Sequence, residues 1–161
     1  MIVASSGQYR NFDSDEKLIS ANINQALPTV RLSNKRNQKN VFGVVSGVEE
    51  KNNRAYSTGR FVSSFVMPDG DERVFVNSVG EGGVWVTNIN GNLENGDYIT
   101  TSDITGYGMR QDDDLLHNYT VAKITQPCKF ALHSPHYECK TITHNGVEYR
   151  AAFVGCTYHC G

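Results

Sequence analysis

Nowhere does the chain hold the run of about 18 apolar residues that a membrane-crossing helix requires. Membrane insertion is therefore not expected. The opening Met1-Ile2-Val3-Ala4-Ser5-Ser6-Gly7 has no basic stretch followed by an adequate apolar one, so it is not expected to act as a signal peptide. Neither sign of charge is in excess: 15 Lys and Arg face 17 Asp and Glu, a formal net charge of −2. A nucleic-acid binder normally carries a basic surplus or stripe, and no nucleic-acid partner is expected. The one basic cluster, Arg31 to Lys39, is short, interleaved with Asn and Gln, and reads as a solvated loop. Sustained 3.6-residue periodicity is missing; Leu18, Ile19 and Ile23 are spaced for one short amphipathic helical turn at most. Cysteine is absent until position 128, which confines any thiol chemistry to the C-terminal fifth or so of the chain.

Short β-branched and aromatic runs separated by turn chemistry are what the chain does have. Asn-Gly pairs at Asn90-Gly91, Asn95-Gly96 and Asn145-Gly146 suit type I′ hairpins, which need φ > 0 at both central residues. Pro68-Asp69-Gly70 is a further turn signal. It predicts that Arg73–Val79 pairs back onto Gly59–Met67. Regular spacing of such strands predicts an all-β fold, an antiparallel hairpin-rich barrel or sandwich. A small Cys-containing hairpin, Cys139–Thr143 with Val147–Phe153, follows at the C-terminus. The expected division is 1–125 as a β-rich domain and 126–161 as an extension packed on it.

Candidate chemistry is sparse. Gly80-Glu81-Gly82-Gly83 has the composition of a phosphate loop, but it precedes a strand and lacks a following Lys-Ser/Thr. Its glycines read instead as sites of close backbone approach. Asp112-Asp113-Asp114 offers hard oxygen ligands without the spacing of a calcium loop, and reads as a solvated turn. The sequon Asn118-Tyr119-Thr120 opens an expected core strand and reads as accidental. Cys128, Cys139, Cys156 and Cys160, with His133, His136 and His159 nearby, admit three readings: one tetrahedral Zn²⁺ site, two disulfides such as Cys128–Cys139 and Cys156–Cys160, or free buried thiols. A small tail hairpin with little apolar area favours a metal or a cross-link, so the four are expected to form one cluster. Ser14-Asp15 is a candidate self-cleavage point, since a Ser hydroxyl can attack a neighbouring carbonyl if a base takes its proton. No Ser/His/Asp or Cys/His set is evident. Trp85, Tyr98, Tyr107 and Tyr119 are candidates for stacking on a surface glycan, but their strand-like alternation favours core packing, given the usual burial of such residues.

Four segments carry a resemblance: Val41–Gly47 (VFGVVSG), Gly83–Val86 (GVWV), Gly96–Ile104 (GDYITTSDI) and Gly106–Gln111 (GYGMRQ). Together with Asp112–Ile124 and Ala152–Gly161, they resemble the intramolecular-chaperone autoproteolysis domain at the C-terminus of phage tail-spike and pre-neck appendage proteins. The similarity is greatest to versions in fibre-like proteins of large DNA viruses. The resemblance implies a viral structural protein module. It would be a homotrimeric, chaperone-like tip on a fibre or tail appendage, assembled in the host cell and carried on the virion beside other fibre proteins. In some members the resemblance also implies a single self-cleavage. The family's cleavage region aligns ahead of Met1, so no autoproteolytic residue is carried over to this chain.

Overall fold

The computed structural model describes residues 1–11, 26–48, 55–58, 61–64 and 72–160. They form an all-β protein, as the turn chemistry predicts, and no α-helix occurs among them. The strands are β1 (Ile2–Asn11), β2 (Ala26–Leu32), β3 (Val41–Val48), β4 (Ala55–Thr58), β5 (Phe61–Ser64) and β6 (Val74–Asn77). They continue as β7 (Val79–Thr87), β8 (Tyr98–Thr101), β9 (Gly108–Arg110), β10 (Thr120–Ile124), β11 (Glu138–His144) and β12 (Val147–His159).

The second half closes on itself. Its sheet runs β10-β8-β9-β7-β12-β11, and β10 also pairs with β12. The ring β7-β9-β8-β10-β12 is therefore a small five-stranded barrel, antiparallel except for the contact of Val86 in β7 with Gly108 in β9. Closure depends on the length of β12. One edge pairs with β7 from Ala151↔Thr87 to His159↔Val79. The other pairs first with β11, from Val147↔His144 to Phe153↔Glu138, and then with β10 at Cys156↔Ile124 to Tyr158↔Ala122. A barrel this narrow is filled by side chains. Val84, Val86, Ile99, Ala122, Ile124, Ala152 and Val154 point inward at no more than 1 % exposure. Leu93 and Phe130, from the connecting segments, join the same core.

A four-stranded sheet, β2-β1-β3-β6, packs against the barrel. Ile2 and Val44 belong to the barrel's apolar cluster. Backbone bonds fix the junction: Ile2 N–H donates to Gly106 O at 2.8 Å, and Gly106 N–H donates to Ser33 O at 2.8 Å. At Gly108 an added Cβ would lie 2.6 Å from Ile99 Cγ2 and 3.1 Å from Ile2 Cδ1, so glycine lets the two bodies meet here. β4 and β5 form a separate hairpin.

Several expected pairings differ from those observed. Asn145 and Gly146 have φ of 50° and 76°, and they join β11 to β12 in the hairpin the sequence predicts. Of the other two pairs only Gly91 and Gly96 have positive φ, and β7 and β8 are not neighbours. The intervening residues make one 3₁₀ turn, Asn88–Asn90, and a crossing in which buried Leu93 bridges to Cys128. β6 pairs with β3 rather than with Gly59–Met67, whose described part pairs with β4. The turn at Asp69-Gly70 and the expected helical turn at Leu18–Ile23 lie outside the described residues. Residues 126–161 are not laid over a finished 1–125 domain, because their strand β12 stands between β7 and β10.

Candidate functional site

Ser14 and Asp15 lie outside the described residues. Two imidazoles have side-chain partners that bear on catalysis. His117 Nε2 lies 3.0 Å from each oxygen of Asp113, but its ring stacks on Tyr119 at 4.5 Å, and among the described residues no nucleophile shares the pair. Thr157 Oγ1 comes within 3.3 Å of His159 Nε2, but among the described residues no carboxylate bonds that ring. A nucleophile, a base and an orienting group are not united anywhere among them, which is what acyl or peptide chemistry needs.

The four cysteines are free thiols and do not gather at one point. Cys139 stands opposite Ala152 in the β11–β12 ladder. At about 3.3 Å per residue, Cys156 lies some 13 Å further along β12 and Cys160 some 26 Å. No three His, Cys, Asp or Glu side chains among the described residues are arranged to hold a metal ion. The expected single cluster therefore does not form: Cys139 is near enough to Cys128 for its charge to raise that thiol, while Cys156 and Cys160 lie further along β12 and just past its end. Burial pushes the Cys156 thiol up to about 12 and the Cys160 thiol up to about 11, so both are protonated at neutral pH. The extended backbone also forbids a Cys156–Cys160 bridge, because residues four apart on a strand are about 13 Å apart while a disulfide tolerates a Cα separation of about 7 Å. Cys160 N–H donates to Ser78 O, so the ladder stays extended to that point.

Intact-mass analysis of the native protein should find Cys139 alkylated first and the core residues Cys128 and Cys156 last. Mild oxidant should form at most one internal bridge, Cys128–Cys139. Stoichiometric zinc, or a drop in unfolding temperature on adding a chelator, would contradict this assignment.

The aromatic candidates are neither one site nor core. All four are partly exposed on outer faces and fall in three places. Trp85 lies between the inward Val84 and Val86, and packs edge-on to Tyr107 at 6.3 Å and against Phe153 at 5.6 Å. Lys140 from β11 places its ammonium 4.0 Å from the Trp85 ring centre. Tyr98 meets His159 and Lys123, while Tyr119 stacks on His117. Alternation on a strand marks two faces without saying which is inside. Here the smaller aliphatics fill the narrow barrel, and the rings stay out. Gly82 and Gly83 make room for the rings of Tyr158 and Phe153 respectively, so this glycine run serves close approach.

Two surface features were not evident from the sequence. The first is a largely apolar cleft of 730 Å³ along the four-stranded sheet. Val3, Val30, Leu32, Phe42, Val45 and Val76 line it. Alternate residues of β1 divide the labour: Ile2 enters the barrel core and Val3 enters the cleft.

The second is the loop between β9 and β10, which holds two adjacent leucines in water, Leu115 at 65 % and Leu116 at 61 % exposure. Its shape is fixed by polar side chains. Buried Gln111 donates from Nε2 to Leu115 O at 2.6 Å and to Asp113 Oδ1 at 2.9 Å. Leu115 N–H donates to Asp113 Oδ1, and Thr120 Oγ1 donates to Gln111 Oε1 at 2.7 Å. The Leu115 backbone N–H, with His117 next in effect, holds the Asp113 carboxyl below the usual carboxylate range. Asp112, Asp113 and Asp114 are all exposed, as a solvated turn requires.

No protein-family model matches the chain, and neither does any curated protein or solved structure.

Proposed function

We propose that the chain is a viral structural module: a chaperone-like tip that forms a homotrimer at the end of a fibre or tail spike. It is assembled in the host cell and carried on the virion beside other fibre proteins. The observation that supports this reading is the open apolar cleft. A sheet with two apolar faces is stable when each is covered by another layer. The barrel core takes Ile2 and Val44 from β2-β1-β3-β6, and among the described residues the cleft lined by Val3, Val45 and Val76 stays open. A further copy of the chain is the natural cover in a symmetric assembly. The resemblance of Val41–Gly47, Gly96–Ile104 and Gly106–Gln111 to tail-spike termini selects the three-fold form.

Assembly is preferred to glycan binding because Lys140 already lies on the Trp85 ring, where a sugar would stack. It is preferred to self-cleavage because no described residues make a nucleophile–base set. Multi-angle light scattering at micromolar concentration is the test. A mass three times that of the chain is expected, and a stable monomer overturns the reading.

A further inference from the structure

We infer that Asn145-Gly146, at the tip of the β11–β12 hairpin, is a site of spontaneous covalent modification. In the folded chain it deamidates through a cyclic imide, while the pairs Asn90-Gly91 and Asn95-Gly96 are protected by the fold. The inference is independent of the assembly reading.

The chemistry needs only water. The backbone nitrogen of the glycine attacks Cγ of the asparagine, which no Cβ on the glycine obstructs. An N–Cγ bond forms, the Cγ–Nδ2 bond breaks, and Nδ2 leaves as ammonia with the proton that the glycine nitrogen gives up. Water then opens the five-membered imide. Attack at Cγ leaves an ordinary aspartate, and attack at the main-chain carbonyl leaves an isoaspartate, whose backbone runs through the former side chain. Either product adds one negative charge. Three conditions follow: the glycine N–H must be free, the asparagine amide must be free, and the backbone must be able to rotate one onto the other.

The three pairs differ on each condition. Gly91 N–H donates to Asn88 O at 3.0 Å, and Gly96 N–H donates to Ile124 O at 2.9 Å. Gly146 N–H finds no acceptor among the described residues. The Asn90 amide donates to Arg110 O and to Asp112 Oδ1, each at 2.8 Å. The Asn145 amide touches only the neighbouring His144 ring, at 3.2 Å.

Rotation separates them further. Buried Leu93 lies between the first two pairs and exchanges both backbone bonds with Cys128, so opening either turn pulls on the barrel core. The tight turn at Asn145-Gly146 must also open for the ring to close, but this releases only the last pair of the ladder, His144↔Val147. Val147 is 50 % exposed, and nothing lies within 4 Å of the place a Cβ would take on Gly146. Such tips open at the low end of the range of local unfolding free energies. The modified chain keeps its barrel, because the closing pairs from Ala151↔Thr87 to His159↔Val79 lie beyond the tip.

Peptide mapping of the full chain aged at mildly alkaline pH is the test, with an isoaspartyl-specific carboxyl methyltransferase as the reagent that marks the product. Asn145 should convert at least about tenfold faster than Asn90 or Asn95, the factor expected when one or more hydrogen bonds must first break at the slower sites. In urea the gap should close, since the reacting dipeptide is the same at all three. Asn145→Gln should abolish the early acidic species on ion exchange. Conversion of Asn90 or Asn95 as fast as Asn145 in the native chain overturns the inference. So does a gap that persists undiminished in urea, which would place the selectivity in the sequence and not in the fold. An Asn145 that is inert in the native chain but reactive in urea overturns it as well.

Discussion

A chain ending at Thr125 should not fold. Its thermal melt should show no cooperative transition, and its amide spectrum should lack dispersion. The expectation follows from the place of β12. That strand bonds β7 along nine successive pairs from Ala151 to His159 and closes the ring against β10. Without it the barrel opens, and β7 and β10 present bare edges that invite aggregation. The core also loses Phe130, Ala152, Val154, Cys156 and Tyr158, each no more than 6 % exposed. Burial of one large apolar side chain contributes roughly 1.5–3 kcal/mol, so losing several removes a sum comparable with the whole stability of about 5–15 kcal/mol. A sigmoidal melt from residues 1–125 would show that the C-terminal segment is an appendage after all.

The sequence is most legible where a local signal and a long-range contact agree. Asn145-Gly146 sits between β-branched runs that do pair with each other, so its turn chemistry predicts the hairpin. Asn90-Gly91 carries the same signal but no hairpin, because Leu93 is drawn into the core to bridge with Cys128, 35 residues further on. No dipeptide encodes that choice. β9 is three residues long, begins with Gly108 and touches β7 through a single parallel pair, so it has no alternation to read. β12 is visible as a strand, but its exchange of partners from β11 to β10 at mid-length is a property of the closed ring.

The candidate sites follow the same logic. The cysteines lie close in sequence, and compactness of the tail invited a cluster. An extended strand spreads them instead, since each residue adds about 3.3 Å. The period of two in Trp85 and its neighbours favours core, but all four rings are partly exposed, because the narrow bore of the barrel takes the smaller aliphatic residues instead. Leu115-Leu116 follow three aspartates, and their exposure depends on a Gln111–Thr120 bond across the mouth of the loop.

Phe130 should be the costliest single truncation in the chain, with an unusual ranking of its replacements. Its side chain is 1 % exposed in the main apolar cluster, so Phe130→Ala should cost about 3–5 kcal/mol. Its φ is 54°, in the left-handed region that a residue with a Cβ occupies at a cost of roughly 1–2 kcal/mol. The fixed direction of the backbone explains why the residue stays there: Phe130 O accepts a bond from Arg150 Nη1 at 3.1 Å, and two residues earlier Cys128 exchanges both backbone bonds with Leu93 at 2.9 Å. Glycine has no Cβ to strain. It should regain that cost while losing about 0.5–1 kcal/mol through the greater freedom of the unfolded chain. Phe130→Gly should therefore be no less stable than Phe130→Ala. At Ile99, fully buried in β8 with ordinary strand backbone, Gly should instead fall below Ala by about 1 kcal/mol. Urea unfolding of the four variants measures both differences. A deficit of Gly relative to Ala at position 130 equal to that at 99 would mean that the burial of Phe130, and not its backbone, accounts for everything the position contributes.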